Sequence, residues 1–149
     1  MKTHIRYNIW ETNSSSCHSM VIVENDKAES EIPKEITVEL GKFGWEEHFY
    51  SDFSTKLSWI YTVLQYLEDT EKRQEYIDKL KTSLEINGVE TITFEDPEED
   101  TDEFGWHNWY VDHGDEYVQE VLDLFENNDL HNFLYCSKSY LHTDNDNKF

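Results

Sequence analysis

The sequence predicts an α+β fold: a largely antiparallel sheet of about five to six strands packed against about three helices, in a single domain spanning residues 1–149. Three observations predict it. Apolar residues recur at helical spacing through the middle of the chain, short alternating or β-branched runs flank that region on both sides, and the 149-residue length is enough to enclose one core. Taken in order, "HIRYNIW" puts Ile5, Tyr7 and Ile9 on one face, and "SMVIVE" is β-branched; these read as two strands joined by a polar connection over residues 11–19. "KEITVEL" places Ile36, Val38 and Leu40 at period two and reads as a third strand, followed by a glycine- and aromatic-containing loop, "GKFGWEEHFYSD".

The first helix carries Leu57, Ile60, Tyr61, Leu64 and Leu67 on one stripe and Trp59, Val63 and Tyr66 on a second, with Ser51, Asp52 and Ser54 as candidate N-caps. Two stripes on one helix mean either a central position in the fold or partial use as an interface, central burial being the commoner of the two. A second helix starts at Thr70, turns Tyr76, Ile77, Leu80 and Leu84 inward, and stops at Asn87-Gly88. "VETITFE" and "HNWYVDH" read as strands, "DEYVQEVLDLFENN" as a helix burying Val118, Val121, Leu122 and Phe125, and "LHNFLYC" as the last strand. Between the first two lies "EDPEEDTDE", with seven acids in nine residues and no apolar side chain. It is expected to form a mobile, solvated loop near 95–103, and the tail near 143–149 to fray. "FGWEEHFY" and "FGWHNWYV" echo each other, but a three-residue match in a chain that is 15% aromatic is weak evidence for duplication.

Charge narrows the function. The chain holds 33 Asp+Glu against 12 Lys+Arg, a formal net charge of −21. Residues 82–137 contain 16 of those acids and no Lys or Arg. Such a field repels phosphate backbones and is attracted to basic protein surfaces, so direct binding of DNA or RNA is not expected. Cys17 and Cys136 form no CxxC, which argues against a disulfide framework or a structural zinc site; with no signal-peptide h-region and no apolar run of about 18 residues, a cytoplasmic, non-membrane protein is expected.

Two constellations carry possible chemistry. In "ETNSSSCHS", Glu11, Asn13, Ser14, Ser15, Ser16 and His18 make a candidate ligand-binding loop, since Ser and Asn side chains bond nearby backbone and leave N–H groups to face an anion. A catalytic reading takes Ser14, Ser15, Ser16 or Cys17 as nucleophile; on spacing alone, though, the loop reads first as a tight inter-strand connection. In "VDHGDE", Asp112, His113 and Asp115 sit at a strand-to-helix junction, where Asp and His suit a metal or an oriented base, and where Asp115 is equally a plain N-cap. An enzyme built from both would use His18 or His113 as base and Asp112 or Asp115 to orient it. His4, His48, His107, His131 and His142 show no metal-ligand spacing, so no metal and no cofactor are expected.

"IRYNIWETNSSSCHSM" resembles the N-terminus of small, uncharacterised proteins of bacteriophages and mobile elements of Gram-positive bacteria, with the match specific over residues 5–19. The resemblance extends more weakly to Phe-Gly-Trp and Asp-His elements. Trp10 and Cys17 stand where that pattern has Phe and Thr, which counts against Cys17 as an essential nucleophile. The resemblance implies a phage or mobile-element context, a purposeful loop at residues 11–19, and no particular activity. Together with the charge, it gives the expected function: an acidic inhibitor that occupies the basic nucleic-acid groove of a host defence effector, in the manner of anti-CRISPR and other nucleic-acid mimics. Glu95, Asp96, Glu98, Glu99, Asp100, Asp102 and Glu103 are the expected contact residues. The alternative is a small enzyme or nucleotide-binding protein using the two constellations; it ranks second because so negative a field penalises an anionic ligand unless a metal or Arg6 compensates.

Overall fold

A computed structural model describes residues 4–6, 18–23, 32–99 and 101–144. Its centre is α1 (Phe53–Leu64), begun by Asp52, whose carboxylate accepts from the Thr55 N–H at 2.9 Å and the Thr55 hydroxyl at 2.6 Å. Both apolar stripes are buried: Leu57, Ile60, Tyr61 and Leu64 on one, Trp59 and Val63 on the other. A helix apolar all round has to be covered all round. Here α2 (Thr70–Ile86), α3 (Val118–Glu126) and α4 (Leu130–Tyr135) pack against it, together with strands β3 (Glu35–Val38) and β7 (Tyr110–Val111). The more polar α2 buries Tyr76, Leu80 and Leu84 in the core, with Ile77 partly buried against it; Asp69 caps it by accepting from the Lys72 N–H, and it ends at Asn87-Gly88 as its sequence predicts.

The strands divide into three small sheets among the described residues. β1 (His4–Arg6), β2 (Ser19–Val23), β8 (Tyr140–Thr143) and β5 (His48–Tyr50) form one antiparallel sheet in the order β1-β2-β8-β5. β3 pairs in parallel with β6 (Thr91–Phe94), and β4 (Lys42–Phe43) in parallel with β7. The α+β class therefore stands, while a single largely antiparallel sheet of five to six strands does not. The reason is topological: parallel partners need a long crossover, and α1 and α2 supply it between β3 and β6. Among the described residues the helix count rises to four α-helices plus a 3₁₀ turn at Gly114–Tyr117.

Three local expectations are corrected. "LHNFLYC" is not a strand but α4, because Leu130, Phe133 and Leu134 fall at i, i+3 and i+4 and all three are buried. The final strand follows it at Tyr140–Thr143, so the tail departs from the sheet only after Thr143, and residues 145–149 lie outside the described residues. The supposed loop "GKFGWEEHFYSD" contains β4 and β5, whereas "HNWYVDH" contributes only two strand residues. In the first strand the backbone of His4–Arg6 pairs with β2, and Tyr7 and Ile9 lie outside the described residues.

Lys56 is the one charged side chain inside α1, and it is fully buried. Its Nζ donates to the carbonyls of Cys136 and Ser139, both at 2.9 Å, and lies 5.6 Å from the centre of the Phe133 ring. It thereby fastens the α4–β8 turn to the central helix. Burial lowers its pKa from 10.5 to about 8. Between pH 8 and 10 the unfolded chain holds a proton that the folded one has released, so stability is expected to rise by about 2 kcal/mol over that window. Urea titrations across it check this; a Lys56→Met variant that keeps the same slope would assign the rise to another group.

Candidate functional site

Three separated segments meet at His18. The residue enters β2, its backbone N–H donates to the Tyr117 hydroxyl at 3.1 Å, and its imidazole is fully buried between Trp59 (edge-on, centroids 5.6 Å apart) and Tyr117 (4.7 Å). The Asp144 N–H donates to Nδ1 at 3.2 Å, which leaves Nε2 as the protonated nitrogen, donating to the Asp112 carbonyl at 3.0 Å. Burial drives the His18 pKa down to about 4, outweighing the raising effects of that hydrogen bond and of the Asp112 charge. The ring is neutral with both nitrogens engaged.

Gly44 closes the junction. Parallel pairing of β4 with β7 sets Phe43 beside Val111, and the Asp112 N–H donates to the Phe43 carbonyl at 2.9 Å. At φ +98°, Gly44 then lies so close that a Cβ would come 2.6 Å from His18 Cε1 and 2.8 Å from Asp112 Cβ. Only glycine satisfies both the backbone angle and the space. Next along, His113 is left-handed (φ 55°), with its imidazole nitrogens 4.0 Å from Asp112 Oδ1 and 3.8 Å from Glu116 Oε2. Gly114 abuts the Tyr66 ring, where a Cβ would approach to 2.6 Å. In front of this junction opens a cleft of about 460 Å³ lined by Trp45, Tyr110 and Asp112.

Among the described residues, His18 and the Asp-His element thus come together, but not as an acid–base pair. His18 reaches the backbone oxygen of Asp112 rather than its carboxylate, and a base with a pKa near 4 and no unused nitrogen does not accept a substrate proton at neutral pH. Glu11, Asn13, Ser14, Ser15, Ser16 and Cys17 lie outside the described residues. Asp115 is exposed within the 3₁₀ turn and caps no helix; the N-cap position belongs to His113, which makes no side-chain capping bond. That expectation failed because the left-handed residue turns the chain before Asp115 is reached.

The acidic segment has a definite geometry. Glu95 is tied inward: its carboxylate accepts from the Leu40 N–H at 2.6 Å and its carbonyl from the Tyr61 hydroxyl at 2.6 Å. Asp96 accepts from the Glu98 N–H at 2.9 Å, and Glu98, Glu99, Asp102 and Glu103 are exposed; Asp100 lies outside the described residues. An antiparallel bridge joins Thr101 to His107, and His107 stacks on Trp109, whose indole N–H donates to the Pro97 carbonyl at 3.0 Å. At the tip, Asp102 Oδ1 accepts from the N–H groups of Phe104 (2.8 Å) and Trp106 (3.0 Å), while its own N–H donates to the Trp106 carbonyl at 2.8 Å. The hairpin so braced holds out two large apolar side chains, Phe104 at 78% and Trp106 at 74% exposure.

Sequence reasoning missed these two aromatics as a surface feature, along with Gly44, although the repeated Phe-Gly-Trp triplet was the visible signal for both. It also missed the group Glu47, His142 and Asp144, whose potential ligand atoms lie within 4.8 Å of one another on the far side of His18 from Asp112. No protein-family model, curated protein or solved structure matches the chain. No helix among the described residues is long and apolar enough to cross a membrane.

Proposed function

We propose that this protein is a phage-type inhibitor that docks, through its acidic half, on the basic nucleic-acid-binding surface of a host defence effector in the host cytoplasm. The observation that carries the reading is the braced 95–107 hairpin: exposed carboxylates surround Phe104 and Trp106 inside a segment, residues 82–137, that contains no Lys or Arg. Carboxylates of this density substitute for phosphates in steering, and an exposed Trp-Phe pair on a preorganised loop has the character of a binding hot spot. The phage and anti-defence context rests on the resemblance of residues 5–19. A locked, neutral His18 favours binding over catalysis.

The alternative of a small-ligand or nucleotide-binding protein draws on the cleft at Trp45, Tyr110 and Asp112, where an indole face and a carboxylate suit a base better than a phosphate. One comparison separates the two readings. Replacing Glu98, Glu99 and Glu103 by Gln and Asp102 by Asn, which keeps an Oδ1 acceptor for the Phe104 and Trp106 N–H groups, is expected to leave the fold and the hairpin intact and to weaken capture of the partner from host lysate. The loss should be larger at about 50 mM than at about 200 mM salt, and duplex DNA or structured RNA should compete. Undiminished capture at every ionic strength, or a ternary complex with nucleic acid still bound, would remove the mimic reading.

A further inference from the structure

The β5–β8 pair carries a side-chain arrangement that the sheet alone does not explain. Its register sets Phe49 opposite His142 and His48 opposite Thr143, so the next step outward sets Glu47 opposite Asp144. Because side chains alternate across a strand, Glu47, Phe49, His142 and Asp144 share one face, while Leu141 and Thr143 point into the core and are fully buried. Two like charges directly opposite each other on one face of an antiparallel pair oppose the pairing. In a chain of net charge −21 the local field deepens that penalty. A cation held between them reverses its sign.

The imidazole that would complete such a site is already placed. His142 Nε2 stands 3.1 Å from Glu47 Oε2, and its ring is stacked on Phe49 with centroids 4.4 Å apart and planes 12° apart. The backbone of Asp144 is held as well, since its N–H donates to the buried His18. With metal–ligand bonds of about 2.0–2.2 Å, tetrahedral ligand atoms lie about 3.3 Å apart, so the His142–Glu47 separation needs almost no adjustment. Rotation of the Asp144 carboxylate, within 4.8 Å of the other two, brings in the third ligand.

We infer that Glu47, His142 and Asp144 form a binding site for a divalent transition-metal ion of the zinc class, held by one imidazole nitrogen and two carboxylates with the remaining coordination open to water. The imidazole selects such an ion over calcium or magnesium, which take oxygen ligands. The sequence conceals the site because Glu47 and His142 are 95 residues apart and meet only across the strand pair.

The test uses the full chain with zinc chloride, and calcium chloride as the probe of general attraction to an acidic surface. Zinc is expected to bind saturably at about one equivalent and raise the Tm, and cobalt(II) in its place to give the visible absorption of a low-coordinate nitrogen–oxygen site. His142→Ala is expected to weaken zinc binding at least about tenfold and abolish the cobalt spectrum, while leaving the weak calcium binding unchanged. Glu47→Gln, at an exposed position where folding is not at risk, is expected to weaken zinc in the same way. Absence of saturable zinc binding overturns the assignment. So does zinc affinity that neither variant alters, since the ion would then be held by the acidic surface at large and His142–Glu47 would be an ordinary ion pair.

Discussion

Gly44→Ala is expected to destabilise the protein by about 3 kcal/mol or more, whereas Gly105→Ala, in the second Phe-Gly-Trp triplet, costs about 1 kcal/mol. Both glycines have positive φ, +98° and +84°, so each substitution meets the same kind of backbone strain. They differ in surroundings. Around Gly105 there is open space, while at Gly44 the new methyl runs into the imidazole of His18 and the Cβ of Asp112. Neither obstacle is a flexible end: His18 is held at both ring nitrogens, and Asp112 is held by its backbone bond to Phe43. Urea unfolding of the two variants beside the parent measures the difference directly. Equal losses would mean that the junction yields, and that it does not lock His18 as described.

The second large effect is acid destabilisation through His18. Its folded-state pKa, about 4, lies below the ordinary 6.5, so between those values the unfolded chain takes up a proton that the folded one refuses. Stability therefore holds above pH 6.5, falls as pH drops toward 4, and levels off below that, for a total of about 3 kcal/mol. Glu120 acts in the opposite sense. Burial, with the nearby charges of Asp123 and Glu116, raises its pKa to about 7, so it favours the folded state increasingly as pH falls from 7 toward 4.5. The two contributions mask each other in the parent protein. In a Glu120→Gln background the decline from His18 is expected to stand alone, and adding His18→Gln to flatten it, whatever the stability at neutral pH. A slope that survives the double substitution would place the acid response elsewhere. By NMR, the His18 ring protons are expected to keep their neutral-form shifts through the 6.5 region and to move only near pH 4.

How much of this could be read from the chain depended on whether the signal was local. Asp52 announces its helix because a cap acts over three residues, and the two apolar stripes of α1 point to its central position from their own spacing; the cap of α2, Asp69, went unread beside the correctly placed start at Thr70. α4 was misread because, over so short a run, Leu130, Phe133 and Leu134 satisfy a helix while Leu130 and Leu134 alone satisfy a strand; tertiary burial decides between them. The junction was half legible. Serine-loop and Asp-His elements stood out by composition, but nothing in sequence shows that His18 receives the backbone of Asp144 on one nitrogen and offers the other to Asp112. The triplets at 43–45 and 104–106 are identical, yet one buries its phenylalanine and the other holds it out to solvent. That distinction belongs to the neighbours.

The strand order β1-β2-β8-β5 sets a timetable for folding. β2 pairs on one side with residues 4–6 and on the other with residues 140–142, so its second partner is made more than a hundred residues after β2 itself. At a translation rate of about 5–20 residues per second, the first two strands wait on the order of ten seconds for β8. A two-stranded ribbon is at best marginally stable in water, and the edge it offers meanwhile is the backbone of Ser19, Met20 and Val21, open to wrong partners. The helical middle of the chain can consolidate during that interval through local contacts, but the sheet cannot. Closure therefore waits on contacts far apart in sequence, and such non-local pairing is expected to slow folding.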